Sequence, residues 1–130
     1  MNTAAEHLHF TADDYLAWET TQPDKHEYLR DEVFAMTGTT DRHNAVLQNC
    51  IAVLRPHLYG TPWRLHAADV KLRVEAADAF FYPDLFVTGS AADHADRHVK
   101  RAACVVIEIL SPSTAAYDQG AKFAAYRQID

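Results

Sequence analysis

The chain reads as a domain of the α/β (α+β) class, and three observations carry this reading. Residues 41–58 repeat apolar side chains at three- to four-residue spacing, the period of one helix face. Val70, Leu72 and Val74 alternate with Lys71, Arg73 and Glu75, the period of a strand with one covered face. Residues 102–110 form an apolar run broken by one acid, Glu108, the pattern of a strand buried on both faces. Helices thus alternate with strands along 130 residues, a length that suits one domain.

Taken in order, residues 1–9 read as a loose leader and residues 10–130 as a single domain. Thr11 is a helix N-cap with Asp14 three residues on, and Phe10 and Tyr15 are spaced for a hydrophobic staple. A helix over 12–20 follows and ends before Pro23. Residues 27–36 read as one or two short strands around Arg30, Asp31 and Glu32, and residues 37–40 as loop and cap. The helix over 41–58 presents Val46, Leu47, Cys50, Ile51, Leu54 and Leu58 on one face, with Pro56 in its last turn. After strand 70–74 and a turn over 76–79, residues 80–87 form a strand that Pro83 interrupts, which marks an edge, a bulge or a strand end. Residues 88–101 are irregular or hold a short helix. The strand over 102–110 leads through a turn at 111–114 to a helix starting near Ala115 and carrying Tyr117, Ala121, Phe123, Ala124 and Tyr126.

Hydrophobic residues make up 48% of the chain, enough for a core, and no stretch is long and apolar enough to span a membrane. The polar, acidic N-terminus is unlike a secretory signal. Cys50 and Cys104 lie in apolar surroundings without metal-ligand spacing and read as buried small hydrophobes, so a reducing cytoplasm is the expected setting. The net charge of −6 is lopsided. Residues 1–32 hold eight acids and two bases, which leaves ten of each in the rest. That balance argues against tight, non-specific coating of DNA but is compatible with a nuclease that depends on metal ions or on a dimeric groove.

Asp84 and Glu108 stand at the ends of two apolar runs, and an acid in such a run is costly unless something satisfies it. On neighbouring strands the two could converge on a hard divalent cation, with a backbone carbonyl near Ile109 and waters completing its shell. Alternatively, Asp84 caps a turn and Glu108 pairs with an arginine. Asp118 and Lys122 are one helical turn apart, either a surface ion pair or a lysine aimed at a phosphate. His43 opens the second helix as ligand, proton relay or cap, and Glu27 at a strand start reads as a solvated acid. His94 and His98 have the spacing of two helical zinc ligands, too few for a site. Arg97, Lys100 and Arg101 form either a phosphate-contacting patch or a solvated loop. Ser111 lacks the glycines of a nucleophile elbow.

Tyr82-Pro83-Asp84, the run Glu108-Ile109-Leu110-Ser111-Pro112-Ser113-Thr114, Asp118, Lys122 and Tyr126 together resemble the Uma2 family. Phe10-Thr11, Asp14-Tyr15, Glu27-Tyr28-Leu29, Glu32-Val33 and His43 fit it as well. The resemblance implies a restriction-endonuclease-like core of the PD-(D/E)XK type, a central mixed β-sheet flanked by helices. It implies that Asp84 and Glu108 bind Mg²⁺ or Mn²⁺ and that Lys122, with His43 and Glu27 nearby, completes the catalytic set. The residue two after Glu108 is Leu110, where the wider superfamily has lysine, so Lys122 takes that role from the next helix. The reaction implied is endonucleolytic hydrolysis of DNA phosphodiesters. Family members continue past this helix into more strands, so the chain is expected to be C-terminally truncated and to pair its exposed sheet edge in a homodimer. The competing expectation is a non-catalytic nuclease-fold module acting in dimerisation or regulation, favoured by the acidic N-terminal segment.

Overall fold

The computed structural model of the chain describes residues 4–6, 10–36, 40–111 and 118–129, with residues 4–6 and 118–119 as backbone only. Its strands form two sheets. The larger comprises β1 (Ala4–Glu6), β2 (His26–Leu29), β3 (Glu32–Ala35), β5 (Lys71–Val74), β6 (Ala79–Phe81) and β8 (Val99–Lys100), in the order β1-β3-β2-β6-β5-β8. All its pairings are antiparallel except β5 with β8. The smaller sheet has the order β4-β7-β9, formed by β4 (Arg64–Ala67), β7 (Leu85–Thr88) and β9 (Ala103–Ile107), and is antiparallel throughout.

Helix α1 (Ala12–Glu19) begins as its sequence specifies. Thr11 accepts from the Asp14 N–H while the Asp14 side chain accepts from the Thr11 N–H, a complete capping box. Its buried Tyr15 stacks on Tyr28 and Phe80, with ring centroids 5.2 Å away in each case, which seats α1 on one face of the larger sheet. Strands β2 and β3 form a hairpin whose two loop residues, Arg30 and Asp31, both have positive φ (48° and 68°), as a two-residue type I′ connection requires. Residues 4–6, part of the leader segment in the sequence reading, pair with β3.

Helix α2 (Asp41–Leu58) has the expected bounds, starts at a Thr40 cap and packs against β4. Its apolar face is only half-covered, and Val46 and Val53 point to solvent. Leu72 and Val74 of β5 are buried and Lys71 and Arg73 are not, as their alternation predicts. The turn after β5 is a 3₁₀ turn, Glu75–Ala77, closed by Asp78 at φ 50°. The 88–101 segment holds a short helix, α3 (Ala91–Ala95), and the unforeseen strand β8. Strand β4 was also not foreseen, since Arg-Leu-His-Ala carries no clear alternation. A π-helical turn, Asp118–Lys122, leads into α4 (Phe123–Tyr126). Tyr126 and Ile129 pack on both sheets, against Val74, Ala79 and Phe81 on one side and Leu72, Phe86 and Ala103 on the other. The expected turn at 112–114 and helix start near Ala115 lie outside the described residues.

Two expectations are corrected. The 102–110 run is not buried on both faces. Among the described residues, strand β9 is the edge of the smaller sheet, pairs only with β7 and ends at Ile107, leaving Cys104 and Val105 exposed. For the same reason Cys104 is an exposed free thiol rather than a buried hydrophobe, and Cys50 is half-buried. Among the described residues, no helix is long and apolar enough to cross a membrane.

Candidate active site

Pro83 ends β6, and the chain passes through Tyr82-Pro83-Asp84 from the larger sheet into the smaller one. Asp84 therefore stands immediately before β7. Because Leu85 of β7 pairs with Ile107 of β9, the residue before Leu85 faces the residue after Ile107, which is Glu108. Glu108 then accepts from the Asp84 backbone, and Asp84 from the backbone of the residue after Glu108. Asp84 N donates to Glu108 Oε1 at 3.0 Å, and Ile109 N donates to Asp84 Oδ2 at 2.7 Å. These backbone donors offset part of the cost of ending two apolar strands in acids. Ile109 thus meets Asp84 through its amide.

Helix α2 supplies the next group. Thr40 accepts from the His43 N–H at 3.2 Å, which fixes the first turn and sets the imidazole Nε2 3.3 Å from Asp84 Oδ2. From the other side come Glu27 of β2 and Lys122 of the π-helical turn, each 3% exposed. Lys122 Nζ donates to Glu27 Oε2 at 2.9 Å and also contacts Glu108 Oε2. Its ammonium lies over the Phe81 and Tyr126 rings at 5.2 and 5.8 Å. Tyr126 OH donates to Glu108 Oε2 at 2.7 Å, and Tyr82 N donates to Glu27 Oε2 at 2.8 Å. Single π-helical turns occur frequently at functional sites, and here the turn ends on Lys122.

The electrostatics follow from burial and from an excess of acid. Burial pushes the Asp84 carboxyl above its ordinary range, and Glu108 beside it adds to this, while the Ile109 N–H and His43 oppose it. Burial likewise raises Glu27, against the pull of Lys122 and the Tyr82 N–H. Burial works against the Lys122 charge, but Glu27 and Glu108 more than offset it, so the ammonium is held above the ordinary lysine range. With two anionic partners Lys122 stays protonated. Lys122 meets two carboxyls, Glu27 and Glu108, while Asp84 is served by the Ile109 N–H and by His43.

The five residues singled out in the sequence, Asp84, Glu108, Lys122, His43 and Glu27, are brought together. Lys122 is buried rather than on the surface, the side chain of Asp118 lies outside the described residues, and Glu27 is no solvated acid. The remaining sequence candidates disperse. Helix α3 ends at Ala95, so His94 and His98 do not share a helix, and His94 Nε2 instead meets the Pro62 carbonyl. Lys100 is buried and donates to the Asp93 and Asp96 carbonyls, and Arg101 pairs with Glu75 and Asp96. Lys100 thus serves the fold of its own loop, and Arg101 ties that loop to the 3₁₀ turn after β5. Sequence reasoning passed over Glu19, the Tyr82 amide and the Tyr126 hydroxyl. A signal for Glu19 was present: an acid ending a helix, where the macrodipole disfavours negative charge.

Among the described residues, no group of three or more His, Cys, Asp and Glu is arranged to hold a metal ion. The available donors are the adjacent Asp84 and Glu108 carboxylates, whose side chains are 19% and 12% exposed. Such a set suits a hard cation that keeps several waters, as Mg²⁺ does, and not one that needs a full protein cage.

The Uma2 family model, described as "Putative restriction endonuclease", matches residues 12–130. Two uncharacterized proteins of Synechocystis sp. (strain ATCC 27184 / PCC 6803 / Kazusa) are similar. One, slr1290, is 33% identical over 114 residues, which is 88% of this chain and 60% of that protein. The other, sll1609, is 26% identical over 121 residues, 92% of this chain and 68% of that protein. The chain thus spans about three fifths to two thirds of these relatives. Among solved structures, a "putative nuclease belonging to DUF820" from Anabaena variabilis ATCC 29413 superposes with a TM-score of 0.73 at 17% identity, covering 91% of this chain and 68% of that one. That likeness is one of fold, and it agrees with the nuclease-type α/β core that the sequence implied; in this chain the strands divide between a mixed sheet and a smaller antiparallel one. The chain belongs to the Uma2 family, the family described as putative restriction endonucleases.

Proposed function

We propose that this protein is a metal-dependent nuclease that hydrolyses DNA phosphodiester bonds. The observation that carries the reading is the meeting of Asp84, Glu108 and Lys122 at the crossover between the two sheets. Asp84 and Glu108, with the Ile109 carbonyl, would hold Mg²⁺ or Mn²⁺. The cation's chemistry is to lower the pKa of bound water and to offset charge on a phosphate. Lys122, kept protonated by its two carboxylates, supplies charge and hydrogen bonds and holds Glu108 in place; it is not a proton acceptor. His43 orients the Asp84 carboxylate from its outer side. In the same reading the protein works as a homodimer in a reducing cytoplasm. The open β9 edge and the two free thiols support those two points.

Cleavage of supercoiled, linear and single-stranded DNA with Mg²⁺ or Mn²⁺ tests the proposal. Wild type is expected to cut at least one form and Asp84→Ala to lose about two orders of magnitude or more, as removal of a charge-stabilising group does. Calorimetry is expected to give Mn²⁺ binding that Asp84→Ala abolishes. A well-folded wild type that binds no Mn²⁺ and cuts no better than Asp84→Ala refutes the enzyme and leaves the non-catalytic module. Sedimentation velocity checks the dimer.

A further inference from the structure

Glu19 ends α1 at a place where a carboxylate is disfavoured twice over. It is 8% exposed, and it lies at the negative end of the helix dipole, in a last turn without a basic residue. Three donors offset this. Glu19 Oε2 accepts from His26 N at 2.7 Å and from Tyr82 OH at 3.1 Å, and Oε1 lies 3.0 Å from His26 Nδ1. The two segments tied by Glu19 are the two that hold Glu27. His26 precedes Glu27 in β2, and Tyr82 donates its backbone N–H to Glu27 Oε2. Tyr15, also in α1, donates its hydroxyl to the His26 carbonyl, so that residue is pinned at both its N–H and its C=O. Glu27 in turn receives the Lys122 ammonium, which reaches Glu108.

We infer that Glu19 is a positioning residue: through His26 and Tyr82 it sets Glu27, and through Glu27 it sets the Lys122 ammonium against Glu108. Both carboxylate oxygens are engaged by these donors. Mere stabilisation of α1 would not require an acid there, because the helix is already capped by Thr11 and anchored by Tyr15. Instead, the acid links α1 to two segments that are distant in sequence and that flank one side chain. The catalytic consequence of this inference rests on the proposed site, whereas the placement of Lys122 does not.

The test reads the Lys122 ammonium by proton–nitrogen NMR, with its signal assigned by disappearance in Lys122→Met. A buried, hydrogen-bonded ammonium exchanges its protons slowly, and loosening of its partners speeds exchange. Glu19→Ala leaves the Tyr82 hydroxyl and the His26 N–H without their acceptor, so Lys122 exchange is expected to rise about tenfold or more. Glu19→Gln keeps an acceptor oxygen and is expected to restore most of the protection. Thr11→Ala weakens the same helix from its other end and is expected to leave Lys122 exchange unchanged. If Thr11→Ala speeds exchange as much as Glu19→Ala does, or if Glu19→Ala changes nothing, the positioning role is refuted. Should Glu19→Ala fail to fold, Tyr82→Phe removes one hydroxyl only; faster Lys122 exchange in that variant supports the inference, and unchanged exchange overturns it. Because the readout needs neither metal nor DNA, a failed cleavage assay leaves the positioning result standing and removes only its catalytic consequence.

Discussion

Replacing Lys122 by methionine removes the one ammonium between Glu27 and Glu108 while keeping a flexible chain against Phe81 and Tyr126. Lys122 and Glu27 are each 3% exposed, so water cannot take over the lost contact. Breaking a buried pair by deleting one partner is expected to reduce stability by about 3–5 kcal/mol, which raises the unfolded fraction roughly a hundredfold to a few thousandfold. The loss should depend on pH in a defined sense. Burial already lifts Glu27 above its ordinary 4.5, and without Lys122 the main cationic pull against that rise is gone. The folded variant then binds a proton more readily than its unfolded chain, so its stability falls as pH rises above about 4.5 and recovers on acidification. Urea unfolding followed by tryptophan fluorescence near pH 5 and near pH 8 measures this, with the larger deficit at the higher pH. The double variant Glu27→Gln/Lys122→Met, which leaves no buried charge at that position, is expected to regain at least about 2 kcal/mol. A deficit below about 1 kcal/mol near pH 8, or one equal at both pH values, would refute the assignment of Lys122 as a buried charged partner.

Two further outcomes are expected away from the site. Asp93, 3% exposed, accepts from the Thr88 hydroxyl and from the Arg101 and Ala102 N–H groups at 2.6, 2.8 and 2.9 Å. Burial opposes its charge, but these donors more than offset that and hold the carboxyl below its ordinary range. Asp93→Ala should therefore destabilise by about 2–4 kcal/mol in denaturant melts, and a loss under about 1 kcal/mol contradicts the hydrogen-bond account. His66 packs on Phe86 with its Nε2 buried and unpartnered, and burial first, then Lys100, His94 and Arg64, lower its pKa from 6.5. Folding thus favours the neutral ring. Stability is fully present above that value and declines as pH falls below it, where the unfolded chain protonates first. Melts of His66→Phe should lack this part of the acid slope; an unchanged slope refutes the assignment.

Features governed by neighbours within a few residues were legible in the sequence. Thr11 with Asp14, Thr40 before α2, and the alternation through Leu72 and Val74 are set by capping geometry and side-chain period. Asp84 and Glu108 stood out because an acid at the end of an apolar run demands a partner. The β9 run misled because an apolar sequence records what a strand can bury, whereas the number of neighbouring strands decides what it does bury. Spacing alone left Lys122 open between a surface partner of Asp118 and a lysine aimed at a phosphate, since i,i+4 spacing says nothing about which face turns inward.

By itself, then, the sequence determined the local conformations and the kinds of chemistry available: paired carboxylates, a lysine and a histidine at a helix start. Only the tertiary structure decided that they meet. Asp84 reaches Glu108 across 24 positions and Glu27 reaches Lys122 across 95. Contacts at such separations follow from strand register and from the packing of α4 between two sheets. Those are properties of the whole folded chain, and no local preference encodes them.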